Sequence, residues 1–244
     1  MEKLNGITIN KNSLLWHRKL GQGRDAIIYA APNNKAYKIY RDPSESRFYK
    51  TLETIQKNNY DIRLSNIPKG AIYFGDKFNG AILEREHGKQ IHYVFNRLSR
   101  ENQIIVLKRI LAAVKELTDS YIYPHDLANT PFLPGKSSNI LLDKKLYPHL
   151  IDLDGSGTSY KDNYSQHDQA FTDFVLNILF LDLMLDTTVD EEPDFADIEY
   201  YKNKFIKLGF DPSIANKLSL YEANYDMLDE AIKSYSHVPE LKRH

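Results

Sequence analysis

At 244 residues the chain has room for one domain or for two small lobes around a shared cleft. Its 42% apolar and 27% charged residues are ordinary for a globular protein, and a net charge of −1 leaves no global basic field for nucleic acid. With no cysteine, the chain has no disulfides, thiolate metal sites or cysteine nucleophiles. Residues 1–12 are polar and mixed, unlike a secretory leader. The longest apolar stretch, 174–185, is interrupted by Asn177 and Asp182 and is too short to span a bilayer. The expectation is a cytoplasmic protein without a membrane span, with a secreted effector or toxin as the alternative.

Residues 1–90 read as β-rich. Strand-like runs fall at 14–20, 27–31, 36–40, 71–74 and 80–84, and the turns between them carry Gly21, Gly23, Pro32-Asn33-Asn34 and Gly75-Asp76. One helix interrupts them. It starts near Pro43-Ser44 and runs to about Lys57, with Phe48, Leu52 and Ile55 as its apolar stripe. From Lys89 the pattern turns helical. Residues 93–98 and 103–120 carry helical periodicity, the second with Ile104, Leu107, Ile110, Leu111, Val114 and Leu117 on one face. Further helices are expected at 167–185, 198–208 and 213–235, with an acidic loop over 186–197.

Between these helices lies Ser138-Asn139-Ile140-Leu141-Leu142-Asp143, followed by His149-Leu150-Ile151-Asp152-Leu153-Asp154-Gly155. Two apolar runs, 140–142 and 146–151, flank the polar turn Asp143-Lys144-Lys145, which reads as a β-hairpin. Asn139 precedes the first strand and Asp152 follows the second, so an antiparallel pair brings them side by side. An amide oxygen and a carboxylate so placed suit Mg²⁺, which is commonly shared with substrate phosphates. Upstream, Leu20-Gly21-Gln22-Gly23 lies between two expected strands, where glycines let main-chain amides approach phosphates. Lys38 sits in the apolar strand that follows.

This order of features resembles the protein-kinase-like superfamily over residues 14–185: glycine loop, strand lysine, helix carboxylate, catalytic aspartate, metal asparagine, metal aspartate. The family's "DLKPxNILLD" is similar to Asp126-Leu127 followed by Lys136-Ser137-Ser138-Asn139-Ile140-Leu141-Leu142-Asp143, and "DFG" resembles Asp152-Leu153-Asp154. The 13-residue step from Asn139 to Asp152 agrees with the family's spacing. The resemblance implies an α+β bilobal fold. An antiparallel sheet with one helix would form an N-lobe over 1–86, and a helical C-lobe with a short catalytic hairpin would occupy 87–244. It implies ATP and Mg²⁺ as cofactors. Gly21, Gly23 and Ala26 would cover the phosphates, with Ala26 replacing a third glycine. Leu20, Ile28, Ala36 and Leu141 would sandwich the adenine. Leu83 would be the gatekeeper, and backbone groups of Glu84 and Glu86 would bond the base. Lys38 would hold the α- and β-phosphates, with Glu45 as its helix partner and Glu53 as the alternative. Asp126 would be the base, Lys136 would neutralise the transferred phosphoryl group, and Asn139 and Asp152 would ligate Mg²⁺.

The chain departs from the family in four places. Residues 128–135 are inserted between Leu127 and Lys136. The "HRD" is Pro124-His125-Asp126, which removes the arginine that pairs with a phosphorylated activation loop. Asp154 replaces the "DFG" glycine, as in aminoglycoside and choline phosphotransferases, and would approach a second metal ion or serve as a cap near Gly155. No "APE" follows, and Asp168 or Asp173 would brace the catalytic loop. The resemblance implies a Ser/Thr protein kinase. The alternatives are a small-molecule hydroxyl kinase of the same fold and a nucleotide-binding pseudokinase scaffold. Expected partners are ATP and a protein or small-molecule hydroxyl acceptor, with no nucleic acid.

Overall fold

The computed structural model describes residues 3–43, 46–58, 62, 65–120, 122–123, 139–153, 157–158, 199, 202–203, 206, 211–219 and 225–235. Six strands build one N-terminal sheet: β1 (Gly6–Thr8), β2 (Lys19–Gln22), β3 (Ala26–Ala31), β4 (Lys35–Tyr40), β5 (Gly70–Phe74) and β6 (Lys77–Glu84). Their spatial order is β1-β5-β6-β4-β3-β2. The turn between β3 and β4 places Asn33 and Asn34 both at φ 55°, with the Lys35 amide donating to the Pro32 carbonyl at 3.2 Å. Asparagine tolerates this left-handed conformation, which the tight three-residue connection from β3 to β4 requires.

The expected all-antiparallel sheet needs correction. β1 pairs with β5 in parallel, so the sheet is mixed. The expected strand over 14–20 is also shorter. Residues Lys11–Trp16 form a 3₁₀ turn, and the strand begins only at Lys19. Asn10 explains the turn: its side chain accepts from the Asn12 amide at 2.9 Å and its carbonyl accepts from the Ser13 amide at 2.9 Å. This segment carries the chain from β1 at one edge of the sheet to β2 at the other. It buries Leu14 but leaves Leu15 83% and Trp16 90% exposed.

Helix α1 (Ser46–Asn58) buries Phe48, Leu52 and Ile55, the expected stripe, together with Tyr49 and Thr51. Phe48 stacks on Tyr40 of β4 with ring centroids 4.2 Å apart. Leu52 joins a cluster with Ala71 and Tyr73 of β5.

After the sheet come β7 (Lys89–Gln90), helix α2 (Arg100–Asp119), β8 (Ile122–Tyr123), β9 (Ile140–Leu142), β10 (Pro148–Leu150) and β11 (Gly157–Thr158). Strands β10, β9 and β7 form a small antiparallel sheet, and β11 pairs with β8. Helix α2 starts at Ser99, whose hydroxyl accepts from the Asn102 amide at 3.4 Å. Its buried face, with Val106, Leu107, Ile110, Leu111, Val114 and Leu117, forms the largest core together with Ile140, Leu142, Leu150 and Leu153. Burying each such side chain contributes roughly 1.5–3 kcal/mol. Ile55, Ile62 and Ile67 join the same core, so it reaches across the expected boundary at residue 86.

In place of the helix expected over 93–98 there are two 3₁₀ turns, Ile91–Tyr93 and Phe95–Arg97, and Ile91 and Phe95 are both buried in the core. Of the helix expected over 213–235, residues 220–224 lie outside the described residues. The described parts are α3 (Pro212–Ser219) and α4 (Tyr225–Tyr235), and α4 packs on α2 through Ala231 and Ile232. Of 198–208, the described residues Glu199, Lys202, Asn203 and Ile206 are helical. The helix expected at 167–185 and the loop at 186–197 lie outside the described residues. No described helix is long and apolar enough to cross a membrane.

Candidate functional site

Strand β4 has alternating burial: Ala36, Lys38 and Tyr40 are buried, and their neighbours are only partly so. Residues directly opposite in antiparallel strands share a face. Lys38 lies opposite Ile28 of β3 and Ala81 of β6, Ala36 lies opposite Leu83, and Gly21 lies opposite Ile28. One face of the sheet therefore carries Gly21, Ile28, Ala36, Lys38 and Leu83, five of the residues singled out from the sequence. Ala26 shares that face but is packed with Tyr40, Phe48 and Ala81. Leu20 sits where the register between β2 and β3 shifts, and is 36% exposed.

Gly21 and Gly23 are not demanded by the turn. Neither has a left-handed φ, and a Cβ built on either would meet nothing within 4 Å. What glycine provides here is an uncovered main chain that a ligand can approach closely. Gly80 differs. A Cβ there would lie 2.2 Å from the carbonyl oxygen of Lys38, so glycine is what lets β6 pack against the lysine's own strand.

Lys38 is 5% exposed. A buried ammonium is tolerated only with compensating charge and hydrogen bonds. Its Nζ donates to Oδ1 of Asp152, 114 residues away in the chain. Asp152 follows β10, and its backbone lies in the left-handed region at φ 66°. Aspartate enters that region more readily than most residues. Beside it, the Ile151 amide donates to the Asn139 carbonyl at 2.9 Å, which brings the two hairpin ends together as expected. Glu53, the alternative helix partner for Lys38, accepts from Lys57 one turn on at 2.9 Å.

The hairpin turn is fixed from several sides. Oδ1 of Asp143 accepts from the amides of Lys145 and Tyr147, both at 2.8 Å. From α2, Nη1 of Arg109 donates to the carbonyls of Lys145 and Leu146 at 2.9 and 2.7 Å, and its guanidinium lies 3.9 Å from the centre of the Tyr147 ring. These contacts hold Leu146 at φ 62°, a strained conformation for leucine.

The segment linking β6 to β7 is anchored at both ends. The Glu84 side chain pairs with Lys35, and its carbonyl accepts from Nδ2 of Asn66 at 2.9 Å. One lone pair of the Glu84 carbonyl, expected to read a base, is thus already engaged. The Oδ1 of Asn66 is buried without a hydrogen-bond partner among the described residues. The Arg85 amide donates to the Asn34 carbonyl at 2.9 Å. The backbone of Glu86 takes no part in the main-chain hydrogen bonds among the described residues. Its carboxylate lies 2.8 Å from Nδ1 of His149 on β10, and Oδ2 of Asp143 lies 3.8 Å from that ring's Nε2.

These neighbours set the titration of the cluster. The Glu86 hydrogen bond raises the His149 pKa, burial opposes it, and the charges of Glu86 and Asp143 add to the rise. Burial pushes the Asp143 carboxyl up, but the amides of Tyr147 and Lys145 together with His149 outweigh it and hold the group below its ordinary value.

Glu45, Asp126, Lys136 and the 128–135 insertion lie outside the described residues, as do His125, Asp154, Asp168 and Asp173. Among the described residues, no group of three or more His, Asp or Glu is placed to hold a metal ion, so they form no zinc-type centre. The roles of His149, Asn66 and Arg109 carry no signal in the sequence. Only the Asp143 turn was signalled beforehand, by Asp-Lys-Lys between two apolar runs.

A scan of the chain against models of protein families finds no match, and a search of curated proteins finds no similar sequence.

Proposed function

We propose that the chain is an ATP- and Mg²⁺-dependent phosphotransferase of the protein-kinase-like superfamily, acting on serine or threonine hydroxyls of a protein. The observation that carries this reading is the buried Lys38 paired with Asp152, with Asn139 alongside. In protein kinases a strand lysine holds nucleotide phosphates, while an aspartate and a catalytic-loop asparagine hold Mg²⁺. The donor chemistry fits. Asn139 and Asp152 are hard oxygen donors, and Mg²⁺ completes its shell with water and phosphate oxygens. Bound Mg²⁺ would neutralise charge on the phosphates.

In this reading the N-lobe spans 1–86 and the C-lobe 87–244. The open main chain at Gly21 and Gly23 covers the phosphates. Ile28, Ala36 and Leu83 on the sheet face, with Leu20 above and Leu141 below, enclose the adenine. The connector at Glu84 and Glu86 reads its edge. Asp126 takes the proton of the acceptor hydroxyl as its oxygen bonds to the γ-phosphorus and ADP departs. Lys136 offsets the charge that develops. Phosphoryl transfer depends mainly on positioning and charge neutralisation, so a chain retaining each of these groups is suited to it.

Thermal shift with and without Mg-ATP, paired with transfer of labelled γ-phosphate to protein and small-molecule acceptors, tests the proposal. Saturable binding with label on Ser or Thr is expected. Absence of nucleotide binding, or undiminished transfer by Asp152→Ala, overturns it. Binding without transfer would replace the enzyme with a scaffold, and label confined to a small alcohol would move the acceptor class.

A further inference from the structure

We infer that His149 is a positioning residue for the nucleotide: through Glu86 it clamps the connector over 85–88 to the β9–β10 hairpin and fixes the two walls of the base site against each other. The inference rests on the kinase-like reading above.

The geometry is that of a built clamp. His149 lies directly opposite Leu141, and Leu141 lies directly opposite Gln90 of β7. These three residues share the face opposite to Ile140 and Leu142, which are buried in the core. His149 therefore flanks the residue expected to floor the base, while its Nδ1 meets the connector carboxylate at 2.8 Å. The connector is close-packed here. A Cβ on Gly88 would lie 2.9 Å from the Leu142 carbonyl oxygen, and β7 begins at the next residue. At its other end the connector is tied to the sheet, where the Arg85 amide meets the Asn34 carbonyl and Nε2 of His87 lies 3.3 Å from the Asn34 amide oxygen. Among the described residues, the imidazole is thus a side-chain link that joins this segment to the hairpin.

The clamp depends on a proton. The charged groups facing His149 are Glu86 from the connector and Asp143 from the turn. Of the nearby cations, Lys35 pairs with Glu84, and Arg109 serves the turn carbonyls. Protonated His149 holds two carboxylates at once. When it loses the proton, Glu86 keeps at most a hydrogen bond from an uncharged ring, the ion pair is gone and the connector loosens. His149, Glu86 and Asp143 are each partly exposed, with side chains 20–27% accessible, so solvent screens the interaction and the effect is moderate.

The test is the pH dependence of Mg-ATP affinity from pH 6 to 9, measured by titration calorimetry on the wild type, His149→Gln and Glu86→Gln. All three see the same nucleotide ionisation, so the difference between their slopes isolates the clamp. Wild-type Kd is expected to rise about threefold more than that of either variant as pH climbs. At pH 6 the variants should bind about threefold more weakly than the wild type, and toward pH 9 the three should converge. In parallel, the His149 imidazole followed by NMR should titrate at lower pH in Glu86→Gln than in the wild type. Equal slopes in wild type and variants, or an unchanged His149 titration in Glu86→Gln, overturn the inference and leave the kinase-like reading standing. Absence of saturable Mg-ATP binding at every pH overturns both.

Discussion

Lys38 and Asp152 meet in one ion pair but are held in different ways. Lys38 lies in the interior of a six-stranded sheet, with strands bonded on both sides and neighbours that leave it 5% exposed. Asp152 follows a two-strand hairpin, has a left-handed backbone and keeps a side chain 45% accessible. The cation is placed by packing, and the carboxylate by local main-chain geometry. A site with one rigid and one accessible partner can admit a ligand on the accessible side without disturbing the core.

This contrast can be broken most severely at the pair itself. On the proposed phosphotransferase reading, Lys38→Met and Asp152→Ala should each lower phosphoryl transfer by about 100-fold or more, measured as kcat/KM. Their stabilities should diverge, because only the aspartate change leaves an ammonium in a buried position. Urea unfolding should show Asp152→Ala losing about 2 kcal/mol and Lys38→Met less. Next in size is Gly80→Ala, which forces a Cβ to within 2.2 Å of the Lys38 carbonyl. It should cost about 2 kcal/mol in the same assay and, on the proposed reading, weaken Mg-ATP binding, since it displaces the strand that bears the lysine.

On the hairpin side, Arg109→Ala removes two charge-assisted hydrogen bonds and a stacked ring contact. A loss of about 1–2 kcal/mol is expected by urea unfolding. Smallest is Asp143→Asn, about 0.5 kcal/mol at neutral pH. Its signature is the acid limb of the stability curve. The folded pKa of Asp143 lies below its ordinary value of 3.8, so the stability it adds is present above that value and lost as pH falls through the folded pKa. His149 has the opposite sign. Its folded pKa lies above 6.5, so its contribution is full below 6.5 and lost as pH rises through the raised value. Asp143→Asn should flatten the first limb, and His149→Gln the second.

Much of the sheet was legible because its strands announce themselves locally. Alternation in 35–40 and turn residues at Asn33-Asn34 and Gly75 specify hairpins between neighbours in sequence. Strand β1 was not legible. Three residues, Gly6–Thr8, carry no periodicity of their own and become a strand only because β5 offers a free edge. The same logic separates the site residues. Lys38 and the Asn139–Asp152 pair stood out because a polar residue in or beside an apolar run is locally conspicuous. His149 and Asn66 acquire meaning only from partners 63 and 18 residues away, Glu86 and the Glu84 carbonyl, and a single sequence shows no such pairing.

The parallel β1–β5 pairing also constrains the order of assembly. Residues 6–8 can dock only after 70–74 have formed a strand, so this pairing closes a long loop and belongs late in folding. Until then, β5 presents an unpaired edge made of Gly70-Ala71-Ile72-Tyr73-Phe74, an apolar segment without a charge. Such an edge is a template for strand addition from another molecule. In the folded protein β1 covers that edge, and removing residues 1–9 should reveal itself as aggregation in light scattering.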